Sequence, residues 1–359
     1  MVVAIALSVV IGVLLAPAAA VLRAVHQPVD IIPDAAAYLE ISIAGVLPYL
    51  AFLVLRQSLQ AMHRVAPIVW TVLIANATNA AFNWVFVFGH LGSPALGVAG
   101  SAIATAISRW LMAILLLIFA WRTLEPSLVP VRVGAITWVA LRRMLSIGLP
   151  IGGQQTLEVG AFGAIGLLMG VLGTVQMAAH QIAITLASLT FMVPVGVATA
   201  AAVRVGRAIG AGDDARARAA IRAAYMCGVG FMTLTGLTFI LMPRLLAHAF
   251  TSDVRVVALA ALLIPIGGVF QVFDGAQAVG AGVLRGAGDT TAPLVVMLTA
   301  YWLVGVPVSA YLGFRRGLGA AGLWWGFVVS LAAVALFLFL RIRVVFRGSV
   351  KRVAGESAS

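Results

Sequence analysis

Hydrophobic residues fall along this chain in long blocks broken by short polar or basic stretches. Ten blocks stand out: 1–22, 37–55, 65–89, 95–121, 145–172, 177–203, 219–247, 254–284, 291–314 and 318–340. A helix needs about 20 apolar residues to cross the hydrocarbon core of a bilayer. None of the blocks alternates apolar and polar positions at a period of two, as the strands of a membrane barrel would. The pattern predicts an all-α polytopic membrane protein with ten spanning helices. The first block ends in Pro17-Ala18-Ala19-Ala20 but has no basic residue before its apolar run, so it reads as a retained helix and not as a signal peptide.

The blocks also repeat. YLEISIAGVLPYLAF, from Tyr38, leads through a basic turn to Ala66-Pro67; ALLIPIGGVFQVFDG, from Ala261, leads through another to Ala292-Pro293. Further on, LGVAGSAIATAIS from Leu96 matches LGAAGLWWGFVVS from Leu318, and the offset stays between 222 and 226 residues. Such self-similarity implies two copies of one supersecondary unit. The second copy starts near Leu145 and holds six helices, whereas the first holds four. The offset puts the expected start of the first copy roughly 80 residues before Met1, so two of its helices are expected to be missing. A six-helix unit returns to its starting side, which makes the copies parallel repeats about an axis along the membrane normal. The expected organisation is an incomplete N-lobe at 1–121, a cytoplasmic linker at 122–143, a C-lobe at 144–345 and a cytoplasmic tail at 346–359.

Composition agrees: 63% of the 359 residues are hydrophobic and 9% charged, against about 45–50% and 25% in soluble domains. The net charge of +12 would suggest nucleic acid if it were spread evenly. With the C-terminus in the cytoplasm, however, 17 basic residues fall in inner loops and five in outer ones, as the positive-inside rule requires. Orientation accounts for the basicity, and no nucleic-acid partner is expected. Cys227 is the only cysteine, which excludes an internal disulfide or a cysteine metal cluster; it reads as a small buried hydrophobe. Gly148, Gly152, Gly160 and Gly163 read as positions of close helix approach. Pro48, Pro194, Pro265 and Pro307 read as kinks.

Against this background a few polar residues are out of place. Glu158 and Asp274 lie deep inside apolar blocks, where a carboxylate costs about 2.5–3.5 kcal/mol even on the lenient insertion scale. Gln154 and Gln155 precede Glu158 by four and three residues, and Gln271 and Gln277 flank Asp274 by three on either side. Each set forms one stripe on a helix, expected to face a bundle interior where the acid can take up H⁺ or Na⁺. Asn79 and Asn83 make a neutral stripe in the first copy, suited to a site or to interhelical hydrogen bonding. His180 and Gln181 are expected to open a helix at the outer side. Glu40 lies near the outer end of its block, in reach of the interface. Arg109 sits too deep to snorkel, so an intramembrane carboxylate partner is expected for it. There is no phosphate-binding loop and no Ser, His and acid arrangement, so an enzyme or a primary pump is not expected. The energy source would be an ion gradient.

In IGLPIGGQQTLEVGAF, NAAFNWVFVFG, AAHQIA, RVGRAIGAGDDARARAA and FQVFDGAQAVGAGVLRGAGDTTAP, with the repeat segments above, the chain resembles the multidrug and toxic compound extrusion (MATE) family, bacterial branch. The resemblance covers essentially the whole chain. It implies two helical lobes, twelve helices in the full family fold, and export of cationic amphipathic drugs by Na⁺ or H⁺ antiport with no other cofactor. It further implies that Glu158 and Asp274 are the cation-coupling acids, with Na⁺ as the one candidate metal. Asn79 and Asn83 match the family's paired asparagines; together with the stripe glutamines Gln154, Gln155, Gln271 and Gln277 they are the expected polar cavity residues. Phe270 stands where the family has a tyrosine one turn before the aspartate. The implied partners are small drug-like cations and the lipid bilayer, for a monomer in the bacterial cytoplasmic membrane. The alternatives are a lipid-linked sugar or lipid flippase of the same superfamily, or a truncated fragment that does not transport.

Overall fold

In the computed structural model, which describes residues 2–24, 32–62, 64–128 and 137–348, every regular element is a helix. Two compact units divide the chain, Met1–Ala135 and Ile136–Ser359. The first contains α1 (Val2–Leu15), α2 (Ala18–Ala24), α3 (Ile32–Ile43), α4 (Val46–Ala61), α5 (Ala66–Phe88) and α6 (Gly97–Leu128). The second contains α7 (Trp138–Leu172), α8 (Thr174–Gly210), α9 (Asp214–Leu241), α10 (Pro243–His248), α11 (Val254–Gly286), α12 (Thr291–Met297), α13 (Val306–Ala310) and α14 (Gly319–Val345). Two π-helical segments, Leu298–Gly305 and Tyr311–Arg315, flank α13. The stretch 122–143 is helical through Leu128 and again from Trp138. Residues 129–136, with Pro130 and Arg132 of the expected linker, and 349–359 of the expected tail lie outside the described residues.

Among the described residues eight helices are long and apolar enough to span a membrane, and the bent pair α3–α4 makes a ninth. The expected tenth, block 1–22, divides at Ala16-Pro17 into α1 and α2. At 14 residues, α1 rises about 21 Å, short of the roughly 30 Å of hydrocarbon. Block 219–247 also divides, because Pro243 opens a separate short helix after α9. Large apolar side chains cover the outside: Leu149, Leu167 and Val171 of α7 are 68, 77 and 75% exposed, a surface that lipid accommodates and water would not.

The first unit closes around Phe52, Leu55, Leu59, Ile68, Leu116 and Leu124. Its most informative feature is the 50° bend between α3 and α4. Pro48 has no N–H to give the carbonyl one turn back, that of Ala44. Trp110 on α6 supplies the missing donor, its indole Nε1 reaching the Ala44 oxygen at 3.0 Å. Arg109, its neighbour, extends over the Tyr49 ring at 5.1 Å. A Cβ on Gly45 would come within 2.9 Å of the Arg109 Cδ, so glycine makes room for the arginine at the bend.

The second unit is built around α11, which packs along α8, α9 and α14. The close approaches belong to its own glycines: a Cβ at Gly282 would meet the Ala198 carbonyl at 2.5 Å, and one at Gly286 the Ala202 carbonyl at 2.6 Å. This corrects the expectation for the four α7 glycines read as close approaches: Gly148, Gly152 and Gly163 have nothing within 4 Å of an added Cβ, and of the four only Gly160 meets a neighbour, Trp302. A glycine pattern marks where helices can approach; the partner's own small residues decide where they do. Cys227 is likewise exposed, because α9 buries the face carrying Ala224, Gly228 and Met232. Caps fix the loop ends: Asp213 accepts from the Arg216 amide and Asp253 from those of Arg255 and Val256. Those amide bonds hold the Asp253 carboxyl below its ordinary value.

The repeat is visible as structure within each unit. α6 and α14 both begin at a left-handed glycine, Gly97 at φ +52° and Gly319 at φ +56°. One turn on, Gly100 and Gly322 each lie against the preceding span, at Phe86 and Leu312 respectively.

Candidate functional site

The site grows from α7 and α11. Both are helices through regions where the side chains are nearly all apolar, so the few polar ones must find partners inside. Glu158 is 9% exposed and Asp274 3%. Gln154, one turn before Glu158, donates from Nε2 to the Thr290 carbonyl at 2.7 Å, a buried bond that ties α7 to the loop between α11 and α12. The Gln277 side chain is within hydrogen-bonding reach of Glu158.

A cavity of about 130 Å³ opens beside these groups. Gln154, Gln155 and Glu158 line it from α7, Gln277 and Arg285 from α11, and Thr199 from α8. Asp274 lies deeper, buried, and within electrostatic reach of Glu158. Tyr301, on the first π-helical segment, is fully buried and in electrostatic reach of both acids. Three oxygens here have no hydrogen-bond partner among the described residues: Asp274 Oδ1, Gln277 Oε1 and the Tyr301 hydroxyl. Buried polar atoms without partners are costly, and a cluster of oxygens around two carboxylates has the chemistry to hold a proton or a hard monovalent cation. No group of three or more His, Cys, Asp and Glu side chains with metal-site geometry occurs among the described residues.

The expected site residues divide into three sets. Gln154, Gln155, Glu158 and Gln277 share the cavity, with Asp274 behind them. Gln271 turns to a different side of α11, where its Oε1 accepts from Thr190 at 2.9 Å and Thr235 at 2.7 Å. Phe270 joins an aromatic cluster with Phe162, Trp324 and Phe327. Asn79, Asn83 and Arg109 belong to the other unit. There Asn83 Nδ2 donates to Asn79 Oδ1 at 3.0 Å and to its carbonyl at 2.9 Å, a local bond within α5. Arg109 forms no ion pair among the described residues; its guanidinium rests on the Tyr49 ring, which supplies the negative face expected of a carboxylate. His180 is corrected as well: six residues inside α8, it is 5% exposed and packs edge-on to Trp324.

Two residues of the site were not legible as such. Arg285 reads as an inner-loop cation, yet it extends the polar stripe of α11: eleven residues past Asp274 is three turns on the same face. Tyr301 gives almost no sequence signal, because the π-helical segment around it resets the helical phase. At the inner end, Asp289 pairs with Arg341 of α14 at 2.7 Å and accepts from the Ala292 amide at the start of α12.

A family model for MatE matches residues 1–85 and 150–311. The chain belongs to the MatE family. Among its MatE relatives, the probable multidrug resistance protein NorM of Mesorhizobium japonicum is 40% identical over 348 residues, covering 94% of this chain and 74% of that protein. The multidrug resistance protein MdtK of Edwardsiella ictaluri is 34% identical, covering 85% and 68%. In fold, the chain superposes on the eukaryotic MATE transporter AtDTX14 with a TM-score of 0.84, at 23% identity, over 94% of this chain and 75% of that one. An outward-facing multidrug resistance MATE transporter of the MOP superfamily gives 0.87 at 19% identity, over 96% and 77%. This MatE chain is a multi-pass membrane protein, and its matched residues include Glu158 and Asp274.

Proposed function

We propose that this protein exports cationic amphipathic compounds across the bacterial cytoplasmic membrane by antiport with Na⁺ or H⁺, its C-terminus in the cytoplasm. The observation that carries the reading is the pair of buried carboxylates, Glu158 lining the cavity and Asp274 behind it within electrostatic reach, with unpartnered oxygens beside them. Two acids in one low-dielectric site favour a state in which one charge is neutralised, by a proton or by a bound cation. Uptake from one side and release to the other would couple transport to the gradient, each charge moved across 100 mV being worth about 2.3 kcal/mol. The relatives' printed role in multidrug resistance supports drug-like substrates. A flippase for a pyrophosphate lipid would need a strongly cationic cavity, and here the single arginine of the cavity stands against a glutamate. Ethidium efflux in a pump-deficient host tests the reading. Glu158→Gln and Asp274→Asn are each expected to abolish ion-coupled efflux while the protein still inserts; normal efflux by both variants would falsify it.

A further inference from the structure

We propose that Arg285 is a built-in counter-charge that competes with the coupling cation for Glu158 and so sets how tightly that cation is held. The inference rests on the ion-coupled reading above. Glu158 and Arg285 line one cavity of about 130 Å³ from opposite helices, α7 and α11. They act on each other electrostatically, yet they do not close into an ion pair among those the structure forms. Arg285 sits in the last turn of α11, where the helix dipole also favours a cation. Its flexible stem carries the charge from the cavity wall, and its residue is exposed.

The charges facing Glu158 can be counted. From α11 come Asp274 and Arg285, from the first π-helical segment Tyr301, and from α8 only the neutral Thr199 and apolar side chains. With both acids ionised, two negative charges face one positive charge. One monovalent cation then neutralises the site, and it competes with the guanidinium for Glu158. When the cation leaves, the guanidinium remains in the same cavity as a counter-charge for the empty acid. A site with the two acids alone would bind the cation more tightly and release it more slowly.

The test reads Glu158 directly. The full chain in lipid nanodiscs is treated with dicyclohexylcarbodiimide, which modifies protonated buried carboxyls, and mass spectrometry follows the Glu158 peptide at pH 7. Arg285→Gln is expected to be labelled roughly tenfold faster, as loss of an opposite charge at close range implies, and to be protected by a roughly tenfold lower Na⁺ concentration if Na⁺ is the coupling ion. Arg285→Lys keeps the charge and should stay near the parent. A purely structural role for Arg285 would lower thermal stability without moving these rates. Parental labelling and parental protection in Arg285→Gln overturn the proposal. If that variant does not fold, Thr199→Lys adds a positive charge to the same cavity and must slow labelling; an unchanged rate overturns it equally. Labelling does not depend on transport, so loss of the Arg285 effect with intact ion-coupled efflux sinks this inference alone. The effect without any ion-coupled efflux sinks the functional reading alone.

Discussion

Two stretches related by the internal repeat, Ile32–Ala61 and Val254–Gly286, fold differently. In the first, α3 stops at Ile43 and α4 restarts at Val46 after a 50° bend. In the second, α11 runs unbroken for 33 residues although Pro265 lies inside it. A proline removes one hydrogen bond in either case. What differs is the surroundings. At the bend, Trp110 takes the freed Ala44 carbonyl and Arg109 fills the space that Gly45 leaves. α11 is gripped on three sides by α8, α9 and α14, with 56% of its spanning window buried. The straight stretch carries the buried acid Asp274; the bent stretch has no buried acid and is braced by Arg109 of α6.

The contrast also runs through α6 and α14. At the repeat offset of 222, Arg109 corresponds to Leu331, which is completely buried. One copy uses the position for core packing and the other for bracing a bend.

The sharpest way to break the comparison is to damage the grip on α11. Gly282→Val would drive a side chain into the Ala198 backbone, with an expected loss of about 3 kcal/mol, or failure to fold. Gly152→Ala, on α7 where nothing lies within 4 Å, should be neutral or stabilising by about 0.5–1 kcal/mol. Thermal unfolding in detergent compares the two, and equal losses would show that α11 is not the tightly held element. A smaller effect tests the bend. Trp110→Phe removes the bond to Ala44 and should cost about 1 kcal/mol. In a Pro48→Ala background the backbone can satisfy Ala44 itself, so the same change should then cost almost nothing; an equal loss in both backgrounds would refute the account. The smallest effect is expected of Arg109→Leu, which copies Leu331. Losing the contact with Tyr49 should cost about 0.5–1 kcal/mol. A large drop in melting temperature would mean that Arg109 has a stronger partner than the Tyr49 ring.

Much of the fold was legible because lipid imposes a simple condition: apolar length measures a span. The repeat announced two related units, and the offset matched glycines that prove to share a left-handed backbone and a close contact. Glu158, Asp274, Gln154 and Gln277 were legible because a polar side chain among apolar neighbours has no local reason to be there. Which of the stripe residues meet was not legible. Gln271 and Gln277 flank Asp274 alike in sequence, but Thr190 and Thr235 claim one while the cavity takes the other. Arg285 passed for a loop cation and Tyr301 for a core aromatic, because helical phase across a π-helical segment and the end of α11 depends on packing. Sequence alone determined the solvent, the number of long apolar runs and the residues that cannot be left in lipid, since each follows from the free energy of transferring one residue type out of water. Tertiary structure alone decided which partners those residues found, since a hydrogen bond or a displaced charge depends on the distance between helices that are far apart in the chain.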